Sequence, residues 1–246
     1  MDAGIRRYDG DPGLHSLPLT GVLPPMTDYL PAIEIDPPTS PTASVIWLHG
    51  LGASGHDFEG LVPELGLVEQ GVRFVLPHAP ELPVTINQGY VMPAWYDVVG
   101  LDLTAHQDAA GIQRSAGRVA DLLVREIERG VPARRILLAG FSQGGAVALH
   151  TALRYPQRLA GVLALSTYLP LADTVAKEMD AVQQGLPVFF GHGDRDEVIP
   201  LPVGARSRDR LEDLGCVVEW HGYPMAHSVC MEEVADIRAW LTQRLI

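Results

Sequence analysis

The chain has 246 residues, of which 47% are hydrophobic and 20% are charged, and its formal net charge is -12. This balance is typical of a globular protein, and the length suits one large α/β domain or two small ones. The acidic excess and the lack of a basic cluster argue against nucleic acid as a partner. Two cysteines are too few for a disulfide framework. The sequence contains no apolar run that could span a bilayer and no lipidation motif, so we expect no stable membrane anchor and a cytoplasmic location.

The N-terminal part of the chain is rich in proline, with eight of the 20 prolines in the first 42 residues. Residues 1–26 are therefore predicted to form a loosely ordered arm, and residues 27–246 a single domain. Residues 32–35 are predicted to form a short strand at a sheet edge, where nearby proline is tolerated.

From residue 43 onward, short apolar runs alternate with helical patterns. The runs predict strands at 44–48, 73–76, 135–139, 162–165, 187–190 and 217–220. Apolar residues recur at steps of three and four over 112–127, which indicates one face of a helix, and Gly130 follows as a stop signal. The segment 234–245 repeats this pattern. Alternating strands and helices predict a mostly parallel central sheet flanked by helices, and no internal linker marks a second domain.

The segment 140–144 reads Gly-Phe-Ser-Gln-Gly and lies between a predicted strand and a run of helix formers. A serine on such a strand-to-helix turn has its hydroxyl exposed above the sheet edge, and the flanking glycines let helix and strand approach closely. The pattern alone also occurs in glycine-rich and serine-rich loops. In this context it predicts Ser142 as a nucleophile.

A general base is expected at the carboxyl end of a later strand, because reactive groups cluster there in open α/β sheets. The partners of a serine nucleophile follow it in the order acid, then histidine. His227 comes after the predicted strand 217–220 and before the last helix. It is therefore the predicted base.

Three carboxylates follow the predicted strand 187–190 and are candidates for the acid: Asp194, Asp196 and Glu197. The acid must be anchored and partly buried, because it orients the histidine and stabilises its charged form. Asp196 is favoured because the apolar residues 198–200 beside it would pack down and hold it. Asp194 is better suited to accepting backbone hydrogen bonds in a turn.

An oxyanion hole needs two backbone N–H groups, and one belongs to the residue after the nucleophile, Gln143. The second is expected from the glycine-containing loop 49–55, with Leu51 as the donor. Such a loop can also bind phosphate, but neither nucleotide-binding glycine motif occurs in the chain. His49 lacks the spacing of a zinc site and is interpreted as structural. We therefore expect no cofactor and no metal.

Five segments together resemble the phospholipase/carboxylesterase family, which includes the acyl-protein thioesterases and small bacterial carboxylesterases. They are HGLGASGHD at 49–57, MPAWYD at 92–97, GFSQGG at 140–145, HGDRD at 192–196 and HS at 227–228. They follow the family's order from about residue 29 to the end of the chain. Tyr168 stands where the family often has tryptophan.

This resemblance implies a compact α/β-hydrolase fold without a separate cap domain. It implies Ser142 as nucleophile, Asp196 as acid and His227 as base, with the amides of Leu51 and Gln143 as oxyanion donors. The expected activity is hydrolysis of carboxylic esters or thioesters through an acyl-enzyme. Two alternatives stay open: another enzyme of the same fold, such as a C–C hydrolase or a cofactor-free peroxidase, and a non-catalytic binding scaffold.

The substrate site is expected to be an open groove, because residues 166–186 leave no room for a large cap. Residues 82–101 are predicted to form a long apolar-rich loop beside it. Trp95, Tyr168 and Val198 are predicted to line an acyl groove together with Leu51. Such a groove would accept small or lipid acyl esters and thioesters or acylated proteins, and its exposed apolar surface would favour a homodimer.

Overall fold

The computed structural model describes residues 29–100 and 106–246. The predicted N-terminal arm lies outside these residues. The strands of the described part are β1 (Ala32–Ile35), β2 (Ala43–Leu48), β3 (Val72–Pro77), β4 (Glu81–Val84), β5 (Tyr90–Pro93), β6 (Ile136–Phe141), β7 (Gly161–Leu165), β8 (Pro187–Gly193) and β9 (Val217–Tyr223). Its α-helices are α1 (His56–Glu59), α2 (Val62–Leu65), α3 (Ala109–Glu128), α4 (Gln143–Arg154), α5 (Ala172–Glu178), α6 (Leu201–Asp213) and α7 (Met231–Leu245). Within these ranges no helix combines the length and the hydrophobicity needed to cross a membrane.

Seven strands form one sheet in the order β1-β3-β2-β6-β7-β8-β9. The edge strand β1 runs antiparallel to β3, and every other pair in this sheet is parallel. Strands β2, β3 and β7 are buried at every residue, as expected when helices cover both faces. The mostly parallel sheet predicted from the sequence is confirmed.

The helices divide between the two faces of the sheet, and each face has its own apolar core. Ile112 of α3 and Val147 of α4 belong to one core. Phe58 of α1, Val62 of α2 and Ile237 of α7 belong to the other. Because both faces are covered, groups that must reach solvent and substrate are left at the ends of the strands.

Two strands continue further than predicted, and both lie next to the site. His192 pairs with Gly222, and Gly193 pairs with Tyr223, so β8 and β9 run on together past the predicted ends at residues 190 and 220. The glycines in these stretches are typical of loops, but the two strands continue through them because their backbones stay paired.

The segment 82–101 differs from the predicted loop. It contains most of an antiparallel hairpin formed by β4 and β5, which is separate from the main sheet. Pro83 and Pro93 lie within these strands. Proline is tolerated there because a two-stranded sheet has only edge strands, so one side of each strand needs no ladder hydrogen bonds.

Candidate active site

Ser142 occupies the turn between β6 and α4 and has a strained backbone, with φ 54° and ψ -122°. A non-glycine residue with positive φ is uncommon, and such strain persists only where the surroundings hold it. Here the Ser142 N–H donates to the Leu165 carbonyl at 2.9 Å, and the Thr167 hydroxyl donates to the Ser142 carbonyl at 2.6 Å. Both bonds tie the serine to the neighbouring strand β7 and the residues that follow it.

The glycines around Ser142 are needed for close packing. A Cβ atom on Gly140 would overlap the backbone of Gly144, and one on Gly144 would overlap the carbonyl groups of Leu48 and His49. A Cβ on Gly145 would crowd the Gly140 carbonyl and the side chain of Thr167. The motif therefore allows α4 to start directly against β6, as the sequence predicted, and also against the end of β2.

A continuous hydrogen-bond chain joins the three predicted catalytic side chains. His227 Nε2 lies 2.9 Å from Ser142 Oγ, and His227 Nδ1 lies 2.7 Å from Asp196 Oδ2. The His227 side chain is 17% exposed, whereas that of Asp196 is fully buried. The ring of Phe141 packs beside the imidazole at 4.7 Å between centroids. In this arrangement His227 can accept the serine proton while Asp196 holds its other nitrogen protonated.

Of the three candidate acids, only Asp196 contacts His227. Its second oxygen accepts hydrogen bonds from the N–H groups of Val198 at 2.9 Å and Ile199 at 2.8 Å, which hold the carboxylate in place. Asp194 is exposed and its carboxylate lies 3.4 Å from Arg195, and Glu197 is exposed as well. The anchoring by residues 198–200 expected from the sequence takes the form of backbone donors.

His192 braces the loop that carries the acid, a role that the sequence did not reveal. It is fully buried, and its Nε2 lies 2.8 Å from the carbonyl oxygen of Ile199. Burial lowers the pKa of His192, so the ring is neutral at pH 7 and donates one N–H to that carbonyl. Ile199 is thus bonded both to His192 and to Asp196.

Both predicted oxyanion donors lie at the site. Leu51 and Gln143 line the same groove as Ser142. Within the described part of the chain, neither backbone N–H has an acceptor, so both are available to a substrate oxygen. Gly52, which follows Leu51, has φ 74° and donates its N–H to the Pro93 carbonyl at 2.8 Å.

The interpretation of His49 as structural agrees with its contacts. Its Nδ1 lies 2.7 Å from the Gly50 carbonyl, and its Nε2 accepts the Ala79 N–H at 3.0 Å. Burial lowers its pKa, which favours the neutral tautomer that these two bonds require. The imidazole therefore fixes the start of the oxyanion loop.

The side chain of Gln143 has a second function that the sequence did not indicate. Its Oε1 accepts the Trp95 N–H at 2.8 Å, and its Nε2 donates to the Tyr96 carbonyl at 2.7 Å. The residue after the nucleophile is thus clamped to a segment 47 positions earlier in the chain. No local signal in the sequence reports a pairing over that distance.

A groove of about 680 Å³ opens at Ser142. Leu51, Tyr168 and Val198 line it, as predicted, and so do Ile86 of the hairpin connection and Val98. These apolar walls suit a hydrocarbon chain.

The structure does not place Trp95 in this groove. Its side chain is 1% exposed, and its indole N–H donates to the His49 carbonyl at 2.8 Å. It borders a different cavity, which also contacts Leu30 and Arg118. The prediction that Trp95 lines the acyl groove is corrected accordingly: Tyr96, the next residue, lines the groove instead.

Fold and site together define the class of protein: an α/β-hydrolase with a serine, a histidine and an aspartate in hydrogen-bond contact. A family model described as Phospholipase/Carboxylesterase matches residues 31–245. The chain belongs to the phospholipase/carboxylesterase family, as its motifs indicated.

Similar proteins include acyl-protein thioesterase 1 of Neurospora crassa, which is 41% identical over 83% of this chain and 87% of that protein. Acyl-protein thioesterase 1 of Cryptococcus neoformans is 37% identical over 89% of this chain and the whole of that protein. The crystal structure of acyl-protein thioesterase 2 of Zea mays superposes with a TM-score of 0.80, at 30% identity over 89% of this chain and 100% of that chain. The chain is therefore a hydrolase of the ester and thioester class.

Proposed function

We propose that this protein hydrolyses acyl esters and thioesters through a covalent acyl-enzyme on Ser142. The observation that carries the proposal is the hydrogen-bond chain from Asp196 through His227 to Ser142, which ends at the floor of an apolar groove. A strained nucleophile hydrogen-bonded to a histidine, which is bonded in turn to a buried carboxylate, is the arrangement that acyl transfer requires.

In the first half of the reaction, Ser142 Oγ attacks the carbonyl carbon while its proton passes to His227 Nε2. The Asp196 carboxylate stabilises the imidazolium that forms and does not itself take the proton. His227 then gives the proton to the leaving oxygen or sulfur as the bond to the acyl carbon breaks. In the second half, water attacks the acyl carbon while His227 takes its proton. His227 then returns the proton to Ser142 Oγ as the carboxylic acid is released.

The negative charge of each tetrahedral intermediate would be held by the N–H groups of Leu51 and Gln143. Leu51 and Gln143 both line the groove beside Ser142, which supports their use as donors that need little reorganisation during the reaction. Loss of a single such donor costs about 2.7–4 kcal/mol in other serine hydrolases. A main-chain donor is not removed by substitution, and for this reason Ser142 offers the clearest test.

We assign the acyl chain and the leaving group to different clefts. The groove contacts Ser142 and both amide donors, so it is suited to the acyl part. A second cleft of about 570 Å³ contacts His227 together with Arg195, Glu197 and Val198, without contacting Ser142. Because His227 must protonate the leaving group, this more open cleft, which Arg195 and Glu197 border, is suited to an alcohol, a thiol or a peptide that carries one.

Acylated proteins are the proposed physiological substrates. Relatives over most of the chain carry the name acyl-protein thioesterase, which supports this choice. Val198, at the boundary of the two clefts, is 59% exposed, so a large leaving group would meet little obstruction there.

The test is to measure kcat/KM for matched ester and thioester series, acetyl to palmitoyl, and for an S-acylated peptide. Ser142→Ala should lower the rate by about 10⁶-fold, the loss found when a triad serine is removed. The matched control is Ser40→Ala, because Ser40 is exposed and lies in a loop away from the site. Activity retained in Ser142→Ala would overturn the assignment, and no turnover by the unaltered protein would favour a binding scaffold.

A homodimer and a cytoplasmic location are further proposals. The hairpin residues Tyr90 and Val91 are 70% and 53% exposed, which supports self-association beside the groove. Sedimentation of the protein over a range of concentrations tests the dimer, and a monomer at all concentrations would contradict it.

A further inference from the structure

Two buried tyrosines meet in the wall of the groove. Tyr96 follows β5 and Tyr168 follows β7, and their hydroxyl oxygens lie 2.8 Å apart. Each side chain is 3% exposed. Burial raises the pKa of both phenols, so both stay protonated and neutral at pH 7.

The tyrosine pair divides two spaces. Tyr96 and Tyr168 line the groove that contains Ser142, and they also line a small cavity of about 10 Å³ that Ser142 does not border. Val98 contacts both spaces as well. A cavity of this size has room for about one water molecule. The tyrosines therefore border both the groove and a space too small for a hydrocarbon chain.

The backbone beside each tyrosine is fixed, so the wall is rigid. Gln143 bonds to the Tyr96 carbonyl and to the N–H of the preceding residue. The N–H of Leu169, which follows Tyr168, donates to the buried hydroxyl of Ser207 at 2.9 Å. These bonds fix the backbone that carries each ring, and the burial of both residues leaves little room for either ring to turn aside.

The chemistry of the pair also opposes a hydrocarbon that reaches it. Two phenols carry two O–H groups, and one is used in the bond between them. Among the described residues no other acceptor contacts either hydroxyl. A hydrocarbon chain that reaches the pair offers the second O–H no acceptor, so this contact is less favourable than one with a wholly apolar wall.

We infer that the Tyr96–Tyr168 pair closes the acyl groove and sets the longest acyl chain that the enzyme accepts. This inference rests on the proposed function and adds the residues that determine its chain-length specificity. Chains shorter than the limit gain affinity with each methylene, and longer chains gain none because the wall stops them.

The test compares chain-length profiles of kcat/KM for a straight-chain acyl ester series in variants that thin or thicken the wall. Tyr168→Leu should move the limit to longer chains, and beyond the original limit each added methylene should raise kcat/KM by a factor of about four. Tyr168→Trp should move the limit to shorter chains. Tyr168→Phe keeps the ring and should leave the limit in place.

Tyr155→Leu is the matched control, because Tyr155 is a buried tyrosine of the same core that does not line the groove. It should reproduce any general effect of the truncation without a change in the limit. If Tyr168→Leu does not fold, the opposite shift in Tyr168→Trp decides. Limits that are the same in all folded Tyr168 variants, or that shift equally in Tyr155→Leu, would overturn the inference.

A second measurement separates this inference from the proposed function. Straight-chain carboxylic acids of increasing length can be titrated calorimetrically into Ser142→Ala and into Ser142→Ala/Tyr168→Leu, where no turnover is needed. The inference predicts that Kd stops improving at a shorter length in the first protein than in the second. If the Kd limits differ in this way but the native protein shows no turnover, only the proposed function is refuted. If the Kd limits of the two variants are equal and the native protein turns over substrate normally, only the inference is refuted.

Discussion

The two ends of the central sheet each hold a buried carboxylate beside a serine, and the contrast between them shows what makes a serine reactive. At the amino ends of the strands, the Ser44 hydroxyl donates directly to Glu126 at 2.7 Å. The same carboxylate is within 3.0 Å of Arg73 and Arg129 and within 3.6 Å of Arg125. Its charge is balanced by arginine, no histidine lies between it and the serine, and the serine is fully buried.

At the carboxyl ends, Ser142 is separated from Asp196 by His227. No arginine contacts this carboxylate among the described residues, and backbone N–H groups hold it instead. Its charge can therefore stabilise an imidazolium, and the serine faces a groove. The proximity of a serine and a carboxylate is common to both ends. The intervening base and access to substrate distinguish the reactive end.

The largest expected effect comes from breaking the reactive end with Asp196→Asn. The new amide can still accept the N–H groups of Val198 and Ile199, but its NH₂ would donate to His227 Nδ1. That bond selects the tautomer with a proton on Nε2, which cannot accept the serine proton. We expect kcat to fall by about 10⁴-fold, as in serine proteases with this change, with little loss of stability.

Asp194→Asn is the matched control for this prediction, since Asp194 lies two residues away and does not contact the histidine. It should retain kcat within a factor of about three, in keeping with a surface substitution away from the reacting groups. Steady-state kinetics on a short-chain ester measures both. Equal losses in the two variants would show that the choice of acid is wrong.

The opposite end should respond in stability rather than in rate. Glu126→Gln leaves three arginines near an uncharged side chain, although Arg73 keeps Asp36 at 2.6 Å and the other two keep Glu34 at 2.7 and 3.0 Å. Removing one partner of a buried ion pair costs about 3–5 kcal/mol of unfolding free energy. Urea unfolding followed by tryptophan fluorescence measures this loss, and kcat of the folded fraction should be unchanged.

The exposed neighbour Glu128 provides the control for that measurement. Glu128→Gln should change the unfolding free energy by less than about 0.5 kcal/mol. A large fall in kcat in Glu126→Gln would mean that the ion cluster acts on the site, against the separation of roles between the two ends.

The reactive end was the more predictable of the two, because its requirements are local. Gly140 and Gly144 leave no room for a side chain, and His227 follows a strand in the order that a serine nucleophile needs. A motif of a few residues carries this information. In the cluster at the other end, Ser44 and Glu126 are 82 positions apart in the chain, and no short sequence pattern predicts their contact.

The same reasoning explains what the sequence did not show near the groove. Helix α6 was not among the elements predicted from the sequence. It buries Gly204, Ser207 and Leu211, so it has no continuous apolar stripe that would indicate a helix. Gly204 is small because it packs against the ring of His192. The contact between Tyr96 and Tyr168, which joins residues 72 positions apart, also depends on tertiary structure alone.

A third buried carboxylate sharpens the comparison, because it has neither arginines nor a histidine. Glu233 of α7 is fully buried, and its oxygens receive no hydrogen bond of normal geometry from the described residues. Burial raises its pKa to about 8, with the charge of Asp236 adding to this and the Cys230 backbone opposing it. Because no donor compensates the buried charge, the folded protein favours the protonated form of Glu233.

The pH dependence follows from this shift. Below pH 4.5 Glu233 is protonated in both the folded and the unfolded chain, so it contributes no slope. Between about 4.5 and about 8 the unfolded chain binds fewer protons, so its contribution to stability falls as pH rises, by at most about 1.4 kcal/mol per unit. Glu233→Gln removes this dependence. The stability of the variant relative to the native protein should therefore rise as the pH increases from 5 to about 8.

Thermal unfolding at pH 5, 7 and 9 checks the prediction, with the exposed Glu232→Gln as control. The difference in Tm between Glu233→Gln and the native protein should grow from pH 5 to pH 7 and by less from pH 7 to pH 9, because the native carboxyl ionises at about 8. The difference for Glu232→Gln should stay flat. A constant difference for Glu233→Gln would mean that the native carboxyl ionises normally. Glu233 would then need a compensating donor, as Glu126 and Asp196 have, and burial alone would not account for its behaviour.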